Sequence, residues 1–196
     1  MDVLVVVAHP CHDSFTHAAA AAAMRGLKRR GHTVDLIDLY ADGFRAAMTL
    51  EERLAYETDE PILDRQVGDH AVRVQRCDLL VFVYPTWWSG LPALLKGWLE
   101  RVMVPGVGFT FDETTGKVKP GLGHLRRIIG ISTYGSPHRY VWLINDNGRR
   151  VLTRALRMSC GIRTRTRWHA LYAMDTASPS ERQRFLARIE RSMGAL

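Results

Sequence analysis

Apolar runs alternate along the chain with stretches in which apolar residues recur at helical spacing. Residues 3–8 form a continuous apolar run that is rich in β-branched residues, which is typical of a strand covered on both faces. Similar or alternating patterns predict four more strands, at residues 34–39, 79–83, 127–132 and 162–168. Helical patterns are found at residues 14–30, 70–76, 91–102 and 147–159 and from Ser178 onward. Two connections are long: residues 43–69, with some helix expected around 50–56, and residues 103–125.

This order of elements predicts an α/β protein with one parallel, doubly wound sheet and helices on both faces. No linker or repeat divides the 196 residues, so residues 1–196 are expected to form a single domain. Ligands of such sheets bind beyond the carboxyl ends of the strands, where the strand order reverses. In a five-stranded sheet of order 2-1-3-4-5, the loops after strands 1, 3 and 4 line that crevice, and we expect the functional site there.

Composition narrows the class of protein. Hydrophobic residues make up 46% and charged residues 24%, which is ordinary for a globular chain, and no apolar run is long enough for a membrane span. The N-terminal run lacks a basic segment before it, and the three cysteines show no CxxC spacing, so we expect a protein of the reducing cytoplasm. Residues 126–196 carry 14 arginines against 4 acidic residues, but these arginines are scattered, so no nucleic-acid partner is expected.

The loop after the first strand opens a helix and suits a phosphate group. Ser14 is a predicted N-cap, and backbone N–H groups at a helix N-terminus, with His9 nearby, are suited to bind phosphate oxygens. The alternative is a structural capping serine beside surface histidines, and this loop alone leaves both readings open. Neither a GxGxxG nor a GxxxxGK[ST] motif is present, which argues against a Rossmann dinucleotide site and a P-loop nucleotidase.

The loops after the third and fourth strands predict a site for a planar ring. Trp87 and Trp88 are adjacent at a strand end, between prolines, and cannot both belong to a core that is already apolar. Aromatic side chains at the ligand edge of a sheet suit a flat ring system, and Gly135 lets the backbone approach it closely. The two loops therefore predict a site for an isoalloxazine ring, formed by Pro85, Thr86, Trp87, Trp88, Ser132, Thr133, Tyr134 and Gly135.

Residues 85–102, PTWWSGLPALLKGWLERV, resemble the signature of the DT-diaphorase-like NAD(P)H:quinone oxidoreductases. That signature reads Pro-x-x-Trp, then Gly-x-Pro-Ala, then Lys-Gly-Trp-x-Glu-Arg-Val. The resemblance extends over roughly residues 1–145. Further matches to the family are His9, Ser14, Phe15, Thr133 and Gly135.

The resemblance implies a flavodoxin-like fold and a bound flavin that passes two electrons from NAD(P)H to a quinone or similar small acceptor, with ping-pong kinetics. FAD is the first expectation and FMN the alternative, and the family implies a homodimer. We expect His9, Ser14 and Phe15 to hold the flavin phosphates or ribityl chain, and Trp87 and Trp88 to border its ring. A flavin-bearing ancillary subunit of a transporter or channel stays open as a second function, because fold does not fix function.

Tyr140 falls where the family has an active-site tyrosine and is the candidate catalytic residue. Its hydroxyl is a candidate hydrogen-bond donor to the acceptor; the alternative is a lid aromatic with only a packing role. Some family members have a histidine six residues later, where this chain has Asp146, so a tyrosine–histidine proton relay is not expected. The nearby arginines favour NADPH over NADH, since guanidinium groups match phosphate oxygens, although a solvated basic face would have the same sequence. These arginines are Arg139, Arg149 and Arg150.

Two further features bear on metals and assembly. His9 and His12 have HxxH spacing and His17 follows, but no matching carboxylate is evident, so no metal site is expected. Cys11, in the same loop, is expected to be a small loop residue rather than a reactive thiol. The helix around Trp98 has more apolar surface than one sheet face needs, which favours a two-fold homodimer with the flavin near the interface.

Overall fold

The computed structural model describes residues 1–112 and 114–196. Its main sheet has the order β2-β1-β3-β6-β7, with every neighbouring pair parallel, while β4 and β5 form a separate antiparallel pair. The predicted five-stranded order 2-1-3-4-5 is thereby confirmed. The strands are β1 (Asp2–Val7), β2 (Thr33–Asp38), β3 (Leu79–Pro85), β4 (Phe109–Phe111), β5 (Val118–Pro120), β6 (Arg127–Thr133) and β7 (Arg165–Leu171).

Helices cover both faces of the main sheet, as predicted. Within the described residues, none is long and apolar enough to cross a membrane. A π-helical turn, Val151–Ala155, joins α6 to α7, so the single helix predicted at 147–159 is interrupted. The α-helices are α1 (Phe15–Arg29), α2 (Leu50–Ala55), α3 (Arg65–Arg76), α4 (Ala93–Val102), α5 (His138–Leu143), α6 (Asn147–Arg150), α7 (Leu156–Met158) and α8 (Pro179–Met193).

The apolar core lies in two layers, one on each side of the sheet. Val3 and Val5 of β1 belong to the layer that contains α1 and α8, whereas Leu4 and Val6 belong to the layer that contains α3 and α4. Successive side chains of a strand point to opposite faces, so a strand covered on both sides must be apolar at every position. This explains the uninterrupted apolar run at the start of the chain.

Trp98 in α4 is part of this core. Its side chain is fully buried, and its Nε1–H donates to Nδ1 of His70 at 3.1 Å. The indole also packs edge-on against Phe82, with ring centroids 6.0 Å apart. The side chain of Trp98 is therefore buried within its own chain and offers no apolar surface to a second copy. The expectation that Trp98 supports a homodimer is wrong.

Other differences from the predictions occur in the long connections. The segment 103–125 contains the β4–β5 hairpin rather than only loop. Helix α3 begins at Arg65, well before residue 70, because the Asp64 side chain accepts the backbone N–H of Gln66 and caps it. Helix α5 occupies residues 138–143, where no element was predicted.

The edge strand lies at residues 165–171 rather than 162–168. A turn precedes it, in which the N–H of Thr164 donates to the carbonyl of Gly161 at 3.0 Å. The buried Thr164 hydroxyl donates to the carbonyl of Leu125, while Ile162 is exposed. The alternating pattern does mark a strand, but residues 162–164 at its start belong to this turn and not to the strand.

Candidate functional site

The carboxyl ends of β1, β3 and β6 meet at one edge of the sheet, and the loops after β3 and β6 form a cleft of about 280 Å³ there. This is the location that the strand order predicts. Five of the predicted site residues line it: Thr86, Trp88, Tyr134, Gly135 and Tyr140. The remaining lining residues are Ser89, Ser136, Val141, Ile144 and Asp146.

The loop after β3 makes a tight turn that presents a tryptophan to solvent. Trp87 and Gly90 exchange backbone hydrogen bonds of 3.3 and 3.0 Å, and the two central residues, Trp88 and Ser89, have φ values of 48° and 59°. Residues other than glycine seldom adopt positive φ, and such strain is found mainly at functional sites. Trp88 is fully exposed at the rim of the cleft, which confirms that the paired tryptophans are not both core residues.

Several predicted residues support the cleft from below rather than forming its wall. Pro85 and Ser132 are buried, and the Ser132 hydroxyl lies 2.9 Å from the Thr86 hydroxyl. The carbonyl of Thr133 accepts the backbone N–H of Thr86 at 2.8 Å. A Cβ on Gly135 would lie 2.7 Å from a carboxylate oxygen of Asp175, so a larger residue at this position would require the Asp175 side chain to move.

Asp146 forms the polar floor of the cleft. The Tyr134 hydroxyl donates to its carboxylate at 3.1 Å and in turn accepts the indole N–H of Trp168 at 3.1 Å. Asn145 and Asp146 have φ values of 74° and 42°, a second strained pair. Burial raises the pKa of Asp146 above its ordinary value of 3.8, against the lowering effect of the hydrogen bond from Tyr134.

Sequence reasoning marked Asp146 only as a departure from the family pattern. Its partners Tyr134 and Trp168 come from two other loops or strands, and no local spacing links the three residues. The strained backbone was equally invisible in the sequence, since Asn and Asp are common in ordinary turns.

Tyr140 lies on α5, is half-exposed, and lines the cleft together with Trp88. A second cleft of about 370 Å³ adjoins the first and shares Val141 and Asp146 with it. Arg149 and Arg150 line this second cleft, as does Arg154, which was not singled out; Arg139 is not among its described lining residues. The remaining lining residues are His138, Trp142, Asn145, Thr153 and Tyr172.

The loop after β1 joins the same edge. Ser14 is the N-cap of α1, as predicted, and its hydroxyl accepts the backbone N–H of His17. The ring of His9 lies 5.9 Å from that of Trp87, so a predicted phosphate ligand and a predicted ring wall are neighbours. The Phe15 side chain turns inward against Phe185, with ring centroids 6.0 Å apart, so Phe15 offers its backbone rather than its ring.

His12 and His17 do have a carboxylate partner, contrary to the prediction. His17 Nε2 lies 2.8 Å and His12 Nδ1 3.8 Å from Asp38 Oδ2. Asp38 is the last residue of β2, and the carboxyl ends of neighbouring parallel strands meet at one edge. The prediction of β2 therefore contained the signal for this partner, because Asp38 lies near the carboxyl end of the predicted strand 34–39.

Comparison with known proteins fits this architecture. The family model described as "Flavodoxin-like fold" matches residues 1–195. The chain belongs to this family. Among curated relatives of this flavodoxin-like chain, NAD(P)H dehydrogenase (quinone) 1 of Rattus norvegicus is 32% identical over 154 residues, which cover 70% of this chain and 55% of the rat protein. The chain thus spans about half the length of the curated relatives it matches.

Solved structures show the same flavodoxin-like fold. The NAD(P)H:quinone oxidoreductase from Methanothermobacter marburgensis has a TM-score of 0.79 at 27% identity, covering 99% of this chain and 94% of that one. Smu.1420 from Streptococcus mutans UA159 has a TM-score of 0.85 at 24% identity and covers all of both chains. The latter likeness shows the fold alone.

Proposed function

We propose that this chain is a flavin-dependent NAD(P)H oxidoreductase that reduces a quinone or a similar small acceptor. The observation that carries the proposal is the cleft at the carboxyl edge, where the strained turn of Trp88 and the half-exposed Tyr140 flank an opening with a polar floor. The relatives named as quinone dehydrogenases and oxidoreductases support the same reading.

The residues at this edge fit a flavin. Gly135 has no side chain and so leaves space beside the cleft. The exposed Trp88 indole is free to border a planar ring. The N-terminus of α1 offers backbone N–H groups to a phosphate, with Ser14 and His9 beside it. We propose that FAD occupies the site, with FMN as the alternative. A bound flavin would supply two-electron transfer between nucleotide and acceptor.

The remaining tasks fall to the chain's own side chains. Tyr140 overhangs the opening and is proposed to orient the acceptor through its hydroxyl. Asp146 replaces a histidine of some relatives and is held by Tyr134, so it presents a fixed hydrogen-bonding group at the floor. Because its carboxyl keeps a proton to higher pH than usual, we propose that Asp146 donates a hydrogen bond to the acceptor when protonated.

The second cleft is the proposed site for the nucleotide phosphates. Arg149 and Arg150 line it, and Arg154 adds a third guanidinium group. A guanidinium group can bind two phosphate oxygens at once through parallel hydrogen bonds. We therefore propose a preference for NADPH, which carries one phosphate more than NADH.

A homodimer is also proposed, on grounds other than Trp98. Leu50, Leu54 and Leu63 of the long connection 43–69 are all more than half exposed. Burying such side chains against a second copy would remove apolar surface from water. Sedimentation of the purified protein tests this directly, and a single species of monomer mass at micromolar concentration would contradict it.

The names of the relatives do not support the alternative of an ancillary transporter subunit. The test of the enzyme proposal is the protein as purified, examined by absorption spectroscopy. We expect flavin absorption in the blue region that bleaches on addition of NADPH, and heat-released flavin whose mass identifies FAD or FMN. Colourless protein that binds neither flavin would contradict the proposal.

A further inference from the structure

Three groups able to bind a metal lie together outside the cleft. His12, His17 and Asp38 each offer one ligand atom, and these three atoms lie within 4.8 Å of one another. They come from the loop after β1, the first turn of α1 and the end of β2. Two imidazole nitrogens and one carboxylate oxygen are a donor set that suits a divalent transition-metal ion rather than calcium or magnesium, which prefer oxygen.

The carboxylate is already oriented toward the two imidazoles. Oδ1 of Asp38 accepts the backbone N–H groups of Tyr40 and Ala41, both at 3.2 Å. Those bonds fix the carboxylate plane and leave Oδ2 as the oxygen that faces His12 and His17. A ligand held in place by other hydrogen bonds loses less freedom when an ion binds, which favours binding.

His17 is oriented in the same way. Its Nδ1 lies 3.0 Å from the hydroxyl of Ser14, the N-cap of α1. An Nδ1–H donated to that hydroxyl leaves the Nε2 lone pair for an ion, the arrangement usual for metal-binding histidines. The His17 side chain is only 18% exposed, so its ring is confined by its surroundings.

The distances are compatible with a zinc ion. Zinc binds nitrogen and oxygen at about 2.0–2.2 Å in tetrahedral geometry, which places two ligand atoms roughly 3.3 Å apart. The separations of 2.8 and 3.8 Å from Asp38 Oδ2 lie on either side of that value. The His12 side chain is 69% exposed and can move to complete the triangle.

We propose that His12, His17 and Asp38 bind one zinc ion, with the fourth position left open to water. Without an ion, the 2.8 Å contact between His17 Nε2 and Asp38 Oδ2 would be an ordinary hydrogen bond that needs no third group. The approach of His12 to the same carboxylate oxygen distinguishes the two cases, because it brings a second imidazole nitrogen to one point. The site adjoins the proposed phosphate-binding loop through Ser14. None of its three ligands is assigned to the flavin, so zinc binding is tested independently of the flavin chemistry.

The experiment is a calorimetric titration of the full chain, as purified and freed of metal by dialysis against a chelator, with zinc chloride. We expect one zinc per chain in the wild-type protein. His12→Ala and Asp38→Asn should each weaken zinc binding by about tenfold or more. Both keep the fold: His12 is exposed, and an asparagine retains the oxygen that accepts from Tyr40 and Ala41.

Two control variants locate the ion. His124→Ala removes a histidine from the loop before β6, and Cys11→Ser removes the exposed thiol next to His12. Both should bind zinc as the wild type does. Cobalt(II), used as a second probe, should give the strong visible absorption of a tetrahedral site in the wild type and lose it in His12→Ala.

Three results would overturn the proposal. One is wild-type protein that takes up no zinc in the titration. Another is equal zinc affinity in the wild type, His12→Ala and Asp38→Asn. The third is loss of binding in Cys11→Ser with binding retained in Asp38→Asn, which would assign the ion to the thiol.

Discussion

Trp98 and Trp88 lie on either side of the start of α4 and have opposite environments. Trp98 has a relative exposure of 0% and donates its indole N–H to His70, whereas Trp88 has a relative exposure of 102% and a positive φ. The first side chain contributes to stability through burial and a satisfied polar group. The second makes no comparable contribution and sits on strained backbone, a combination that is retained where a ligand uses the residue.

The same contrast separates the two regions as wholes. The α4 layer contains apolar side chains packed against β1 and β3. Close packing in this layer constrains the size of each side chain. The cleft has strained turns and exposed aromatic side chains at its rim and the half-buried Asp146 carboxyl at its floor. Substitutions in the first region should have the largest effects on the free energy of unfolding. Substitutions in the second should act mainly on ligand binding, with smaller effects on stability.

The largest effect is expected from Trp98→Ala. Removing a fully buried indole leaves a cavity and an unpaired His70, so the free energy of unfolding should fall by about 3–5 kcal/mol. Urea unfolding measures this. Trp98→Phe, which keeps most of the volume but not the N–H, should lose less. A Trp98→Ala protein as stable as the wild type would break the comparison.

A change in nucleotide preference is expected at the second cleft. Arg149→Ala and Arg150→Ala should each lower kcat/KM for NADPH by about tenfold to a hundredfold, with kcat/KM for NADH nearly unchanged, because a charged hydrogen bond contributes about 1–3 kcal/mol. Arg139→Ala, outside the lining of this cleft, is the matched control and should retain the wild-type ratio. Equal losses with both nucleotides would remove the phosphate argument.

A smaller effect is expected at Trp88, where two variants distinguish the cost of the strained backbone from the contribution of the ring to flavin binding. Trp88→Gly and Trp88→Ala both remove the exposed ring, but only glycine adopts a φ of 48° without cost. We expect Trp88→Gly to be more stable than Trp88→Ala by about 1 kcal/mol, and both to bind flavin more weakly than the wild type. Thermal unfolding of the two variants measures the difference in stability, and flavin titration measures the difference in affinity. Identical stabilities would mean that the turn stores no strain.

The smallest effect is a pH dependence from Asp146. Its pKa is raised in the folded protein, so the native state binds more protons than the unfolded state above pH 3.8, and stability falls as pH rises through the folded pKa. Asp146→Asn carries no such penalty and tolerates the left-handed backbone. In urea unfolding, the wild type should therefore lose stability relative to Asp146→Asn as the pH rises above about 4 and passes through the raised folded-state pKa. A constant difference would contradict the burial of this carboxyl.

Sequence patterns predicted the sheet well because its strands are covered on both faces. Runs such as residues 3–8 have no alternative in a chain of this composition, and the strand order then places the loops. The cleft was predicted less completely. Tyr134, Asp146 and Trp168 meet only through tertiary packing. Whether Ser132 and Phe15 face a ligand depends on which way each side chain turns. The spacing of residues along the chain encodes neither the packing nor these orientations.

Flavin binding at the carboxyl edge is the central claim, and a titration of flavin-free protein with FAD tests it most directly. The account predicts tight binding by the wild type and an increase in Kd of about fivefold in Trp87→Ala, since an aromatic contact contributes about 1 kcal/mol. Ser14→Ala, at the N-terminus of α1, should weaken binding as well. Unchanged Kd values in both variants would contradict the placement of the flavin at this edge.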